Sequence, residues 1–443
     1  MNNRVVVSGM GIVSPYGVGI EKFWKGVSQG ESAAKLVTKF DVRDYPVRFA
    51  AEITSDQFNP REFIENKKSI KILSRATQFG LGAAEMAMQS AGLDKDKQDP
   101  SRVGVTIGTG GVGPVDVDLF SEIKFSRPVD ESQKSEFPKD NIGQIFRIVM
   151  GQVHPLTPLK ILPNMAAAHI AIIHQARGSN YTIATACTSS AQAIGEAFRQ
   201  IQRGENDVVI TGGTDSMVNP MGLLGFDMLG VLSRNNENYR QASRPFDRKR
   251  DGFMLGEGAA ILILEDLQHC LRRGGPIYCE IVGYAAGSDA YRITDEPPDG
   301  YGIAQVMTLA LKDAAILPQQ VDYINAHGTS TPMNDKTETW AIKRVFGEDA
   351  YKVPISSTKS MIGHWAAACG AAELVTCILA LNHQLLPPTI NYEEPDPECD
   401  LDYVPNQARA KNISICLSNS FGFGGQNACL ILKKFEGEGE PHE

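Results

Sequence analysis

The chain has 443 residues, 42% of them hydrophobic and 21% charged, with 42 glycines. That size fits two or three domains or one large two-part enzyme, rich in tight backbone turns. A net charge of −9 argues against a general nucleic-acid binder, and eight cysteines with no C-x-x-C pair argue against a zinc site or disulfide scaffold.

A β-branched run, Arg4–Val7, begins a strand almost at once, with no basic and then apolar leader before it. No apolar run approaches membrane-spanning length, and scattered free cysteines fit a reducing compartment, so the expected location is the cytoplasm. Further strands are predicted at Val103–Ile107, Tyr181–Ala184 and Asp207–Ile210. Between the first two, Ser121 to Asp140 is polar and contains two prolines, and reads as an exposed loop. Asn164 to Gly178 reads as an apolar helix with an Asn cap and a Gly stop; its His169 and His174 read as packing residues. A second helix is predicted over Ala191–Ile201, from the spacing of Ile194, Ala197, Phe198 and Ile201.

A boundary falls near Gly274-Gly275-Pro276, dividing the chain into 1–275 and 276–443. The second part carries strands at Ile277–Val282, Val321–Ile324, Pro354–Ser356, Ile413–Leu417 and Ala428–Leu432, with a helix at Trp365–Leu381. Strands separated by helices mean an α/β fold with a sheet covered on both faces. Each half opens on a strand and later reaches a strand that ends in a Gly/Thr-rich turn, which hints at a duplicated α/β unit. The last residues, 436–443, read as a polar tail.

Cys187 stands out. In Thr185-Ala186-Cys187-Thr188-Ser189-Ser190 it lies where a strand gives way to a helix, so it meets the helix N-terminus. There the dipole and the unpaired N–H groups favour the nucleophilic thiolate. A buried core cysteine is the competing reading. His327, in Asn325-Ala326-His327-Gly328-Thr329-Ser330-Thr331-Pro332, follows a strand, where α/β folds place their sites. Ser356-Ser357-Thr358-Lys359-Ser360-Met361-Ile362-Gly363-His364 follows another, and Asn419 to Asn427 is a glycine-dense turn between two more. One cysteine with two histidines suits acyl transfer coupled to decarboxylation. Neutral imidazole N–H groups would stabilise the enolate, and backbone N–H groups beside Gly422–Gly425 the tetrahedral oxyanion.

These motifs resemble those of the β-ketoacyl-[acyl-carrier-protein] synthases, above all the type II elongating enzymes of dissociated fatty acid synthesis. The resemblance runs from Val5 to about Lys433 and takes in Ser243 to Phe253 and Leu255 to Gly258. It implies a thiolase-like fold, two duplicated α/β halves in a five-layered α-β-α-β-α arrangement, and a homodimer. Cys187 would hold the acyl chain as a thioester, and His327 and His364 would assist decarboxylation of malonyl-acyl-carrier protein. Lys359 would tune the histidines, with Glu373 supporting it. The Cys187 and Phe423 amides would form the oxyanion hole, Phe423 would gate the acyl pocket, and Thr329 and Thr331 would lie near the pantetheine arm. No metal and no organic cofactor enter.

The implied partner is an acidic carrier protein, for which Lys67, Lys68, Lys71 and Arg75, at helical spacing, form a candidate docking face. A solvated helix face is the equal alternative. Arg248, Lys249 and Arg250 form a second candidate. Two departures from the family bear on substrate. Residues 115–153 are longer than its usual connection, and Gly111 stands where it has a bulky aliphatic, which implies an acyl site suited to long, branched or otherwise unusual chains. A ketosynthase of a type II polyketide or specialised lipid pathway shares every one of these catalytic residues. Retention of Cys187, His327, Lys359 and His364 argues against a non-catalytic chain-length partner, and His364 against a degradative thiolase.

Overall fold

The computed structural model describes residues 2–94, 96–110 and 156–437. The first strands are β1 (Val5–Ser14), β2 (Val103–Thr109), β3 (Asn180–Ile183), β4 (Val208–Ser216) and β5 (Glu257–Asp266). A second set follows: β6 (Cys279–Ser288), β7 (Tyr323–Asn325), β8 (Ile355–Ser356), β9 (Ile415–Gly422) and β10 (Gln426–Lys433). The helices that frame the site are α1 (Arg75–Ala91), α2 (Met165–Ile173), α3 (Ser189–Gln202) and α4 (Pro220–Met228). Later in the chain come α5 (Tyr301–Asp313), α6 (Pro332–Phe346) and α7 (Cys369–His383).

The strands form one path, β8-β7-β9-β10-β6-β1-β5-β4-β2-β3, closed at its middle by an antiparallel contact between β1 and β6. Outward from that contact each half repeats one order: first, fifth, fourth, second and third strand of its set. Directions repeat too, two antiparallel pairings followed by two parallel ones. The hinted duplication is therefore a duplication of topology.

Helices α3 and α7 pack against each other between the two half-sheets. On the outside, α1 covers β1, β5 and β4, and α5 covers β6 and β10. The result is the expected five-layered α-β-α-β-α core. Every residue of β1 and β4 is buried, as strands covered on both faces require. Close approach depends on glycine at specific points. A side chain on Gly11 of β1 would come within 2.0 Å of the Ala83 carbonyl on α1. One on Gly108 of β2 would lie 2.4 Å from the backbone of Ser189 and Ser190, where α3 begins. That second contact seats the helix that carries Cys187.

Several elements differ from the sequence expectation. An apolar stretch of near-spanning length does exist: Ala366–His383 has a mean hydropathy of 1.4, but 83% of it is buried as the core helix between the sheets. The helix expected from Trp365 begins at Cys369, after a 3₁₀ turn at Ala366–Ala368. The helix expected to reach Gly178 ends at Ile173, because Gln175 takes a left-handed φ of 54°, and the Asn164 side chain makes no cap bond. His174 is buried and His169 half-buried, and neither lines the site cavity. The loop reading for 121–140, the 115–153 segment, Gly111 and the tail beyond 437 lie outside the described residues.

Candidate active site

A cavity of about 280 Å³ opens at the C-terminal ends of the parallel strands and joins loops from both halves. Cys187, His327, His364, Thr329, Thr331 and Phe423 all line it. Residues far apart in the chain thus converge as expected. The loop motifs lie beside one another because β7, β8 and β9 are neighbours in the sheet.

Cys187 sits in a 3₁₀ turn, Ala186–Thr188, at the foot of α3. Ala186 has a left-handed φ of 51°, a strained position that turns the next residue sharply out of the strand direction. The Phe423 backbone N–H donates to the Cys187 sulfur. Gly422 lies against the Cys187 amide: a side chain there would come within 3.1 Å of that nitrogen. The Gly422–Phe423 backbone therefore runs directly beside Cys187.

The expectation of a favoured thiolate does not hold in this structure. Burial pushes the Cys187 thiol up to about 12, and the Lys359 cation, which pulls the other way, does not offset it. The Asp215 and Glu373 carboxylates add to the rise. Desolvation outweighs the dipole because the sulfur is buried, whereas dipole effects of this kind are at most a few kcal/mol at a helix end. Cys187 therefore rests as a thiol.

Both histidines are neutral, and their tautomers follow from their neighbours. The Lys359 ammonium, which can only donate, lies 3.3 Å from His327 Nδ1. The Ala366 backbone N–H donates to His364 Nδ1 at 3.0 Å. Each Nδ1 is therefore an acceptor, and each ring carries its proton on Nε2. Burial, joined by the Lys359 charge, holds both imidazoles well below the usual histidine range. The rings stand edge to face with centroids 5.7 Å apart.

Lys359 is fully buried and uses its Nζ three ways: on the His327 carbonyl at 2.7 Å, on His327 Nδ1, and in an ion pair with Glu373. Burial alone would lower its basicity, but the Glu373 carboxylate reverses that and keeps it charged. Thr329 and Thr331 hydroxyls bond each other at 2.9 Å on the cavity wall.

Three buried groups escaped sequence reasoning. Glu338 on α6 accepts the His327 and Gly328 backbone N–H groups at 2.9 and 2.8 Å, and Asn419 Nδ2 at 3.2 Å. It aims the histidine loop. Asp215 accepts the Ala367 and Ser216 N–H groups at 3.0 and 2.8 Å. Cys369 lies 3.0 Å from His364 Nδ1. A lone acid on a helix or strand carries no local signal; only the packing shows what it faces.

The candidate docking residues do not form one helical face. Leu73 is extended and separates the 3₁₀ turn Ser69–Ile72 from α1. Lys67, Lys68 and Lys71 are exposed, the Lys67 ammonium bonding the Ile64 carbonyl at 2.9 Å, whereas Arg75 stacks 4.6 Å over the Phe79 ring. The second cluster is spoken for as well. Arg250 is buried on the Thr331 and Pro332 carbonyls, bracing the threonine loop, and Arg248 pairs with Glu394.

A duplicated five-layer core, with a cysteine on one half and two histidines and a lysine on the other, defines a condensing acyltransferase of the thiolase type. Residues 2–269 match the family described as beta-ketoacyl synthase, N-terminal domain, and 278–393 its C-terminal domain. The chain belongs to the beta-ketoacyl synthase family. It is 41% identical over 433 residues to 3-oxoacyl-[acyl-carrier-protein] synthase 2 of Synechocystis sp., covering 98% of both chains. It is 40% identical over 432 residues to putative polyketide beta-ketoacyl synthase 1 of Streptomyces cyaneus, again covering 98% of each. Among solved structures it resembles a ketosynthase in complex with its type II polyketide acyl-carrier protein, bound to a hexaketide. That match has a TM-score of 0.84 at 35% identity and covers 98% of this chain and 100% of that one. A beta-ketoacyl synthase from Burkholderia phymatum matches with a TM-score of 0.84 at 31% identity, over the same shares.

Proposed function

We propose that the protein carries out decarboxylative condensation of an acyl group with malonyl-acyl-carrier protein, giving β-ketoacyl-acyl-carrier protein and carbon dioxide in fatty acid elongation. The observation that carries this reading is the pair of neutral imidazoles, each with its proton on Nε2, in one cavity with Cys187. Two fixed N–H donors suit an enolate oxygen, and the fixed tautomers cost no reorganisation as charge develops.

In the first half-reaction the Cys187 sulfur bonds the acyl carbon, and the carrier's pantetheine thiolate leaves and takes up the thiol proton. The amides of Cys187 and Phe423 receive the tetrahedral oxyanion. In the second, malonyl-carrier loses carbon dioxide; His327 and His364 donate to the enolate oxygen; the enolate carbon attacks the thioester, and Cys187 departs as a thiolate that takes one proton from solvent. Lys359 holds the His327 tautomer, and Glu373 keeps Lys359 charged. Thr329 and Thr331 face the arm, and Phe423 gates the acyl side. Gly111, which lies outside the described residues, is read from the sequence alone as making room for long or branched chains.

We place the division between halves at 275/276, a reading supported by the repeated strand order and by family matches that end at 269 and resume at 278. The homodimer reading is supported by apolar side chains exposed on α2 and β3, with Ile172 72% and Tyr181 50% exposed, β3 being the last strand of the sheet among the described residues. Eight free, buried cysteines support a cytoplasmic location. Lys67, Lys68 and Lys71 are the exposed residues of the docking set available to an acidic carrier. A polyketide pathway is the second reading, favoured by the Streptomyces relative at 40% identity.

The test is intact mass after incubation with a panel of acyl-carrier proteins, with Cys187→Ala as control. A gain of one acyl group that the variant loses is expected. No adduct from any donor would overturn the reading, and the best donor separates straight-chain elongation from the polyketide pathway.

A further inference from the structure

The reaction proposed above uses Cys187, but a second thiol lies in direct contact with the His364 imidazole. Cys369 is the first residue of α7, buried, with its sulfur 3.0 Å from His364 Nδ1 and 3.0 Å from the Trp365 backbone nitrogen. The directions of these contacts are settled by the groups that can only donate. Ala366 N–H donates to His364 Nδ1, so that nitrogen presents a lone pair and no proton. Trp365 N–H donates to the sulfur. The contact between sulfur and Nδ1 therefore has one possible donor, the thiol hydrogen.

We propose that Cys369 is a positioning residue for His364: its thiol donates to Nδ1 and, with the Ala366 amide, fixes the imidazole as the neutral ring whose N–H points from Nε2 to the reacting enolate. This inference rests on the condensation reading above. Its physical content is that a donor on Nδ1 bonds the neutral ring and opposes the imidazolium, which has no lone pair there. The Lys359 cation and the His327 ring also face this imidazole, Glu373 sits behind Lys359, and the Cys187 thiol shares the cavity. Asp215 holds the same turn from below, through the Ala367 amide. Lys359 opposes protonation through space, so Cys369 is the only side chain among the described residues that does so through a bond to His364.

Three proteins test this: wild type, Cys369→Ala, which removes the donor, and Cys369→Ser, which keeps one. Each is assayed for acylation of Cys187 by intact mass and for decarboxylation of malonyl-carrier across pH. In Cys369→Ala the acidic limb of the decarboxylation profile is expected to move up by about half to one pH unit, the shift that one net hydrogen bond corresponds to. Decarboxylation at neutral pH falls several-fold, while acylation of Cys187 stays within about twofold. Cys369→Ser returns the limb toward wild type. An unmoved limb in Cys369→Ala, or a Ser variant no closer to wild type than Ala, overturns the role for Cys369. A wild-type protein that neither acylates nor decarboxylates overturns the condensation reading instead, so the two failures are distinct. Matching near-ultraviolet circular dichroism of the variants shows that the fold is kept.

Discussion

Lys359→Met removes a buried ammonium and leaves the Glu373 carboxylate alone in the same apolar interior. Both partners are essentially without solvent contact, and Glu373 Oε2 has no hydrogen-bond partner among the described residues, none of which stands ready to replace the lost cation. Breaking one side of such a pair costs about 3–5 kcal/mol, against a total stability on the order of 5–15 kcal/mol. Lys359→Met/Glu373→Leu takes both charges away with little change in volume and is expected to recover most of that loss, because well-packed apolar replacements of buried pairs are close to neutral. The assay is the urea midpoint of the three proteins, paired with malonyl decarboxylation. Activity is expected to stay lost in the double variant, since His327 Nδ1 has lost its only side-chain donor among the described residues. A single variant as stable as wild type would refute the argument that the pair is needed to keep the buried acid satisfied. A double variant that regains full activity would refute the assignment of Lys359 to the His327 tautomer.

Asp215→Asn removes a carboxylate that raises the Cys187 thiol, so alkylation by iodoacetamide at fixed pH should become several-fold faster. Burial pushes Glu338 up to about 7, so its stabilising contribution is whole at low pH and is lost as pH rises from its usual value near 4.5 through about 7. Urea midpoints across that window should therefore fall less steeply for Glu338→Gln than for wild type. Lys68→Glu with Lys71→Glu should raise KM for carrier-bound substrate with kcat unchanged, an effect that fades with salt; equal KM values would remove this face from docking. Gly108→Ala drives a methyl into the start of α3, where its nearest backbone contact would be 2.4 Å. It should cost several kcal/mol in denaturant unfolding and disturb Cys187 most.

The sequence by itself determined most of the elements and marked the candidate reacting groups. Periodicity marks β-branched runs and apolar helices, and the placement of Cys187, His327, Lys359 and His364 in glycine-framed loops after strands is a local property that survives without coordinates. Tertiary structure decided what those groups are like. The helix N-terminus at Cys187 was legible, but the desolvation that outweighs it was not, because burial depends on α7 and the Phe423 loop arriving from the other half. The Lys67 to Arg75 spacing looked helical, yet the extended Leu73 and the inward pull of Arg75 are set by packing against Phe79. Glu338, Asp215 and Cys369 had no motif around them. Asp215 acts on the Ala367 amide, a residue of the other half that only the closed fold brings to it, whereas Glu338 and Cys369 act on a loop and a ring close by in the chain, across turns whose path only the coordinates show.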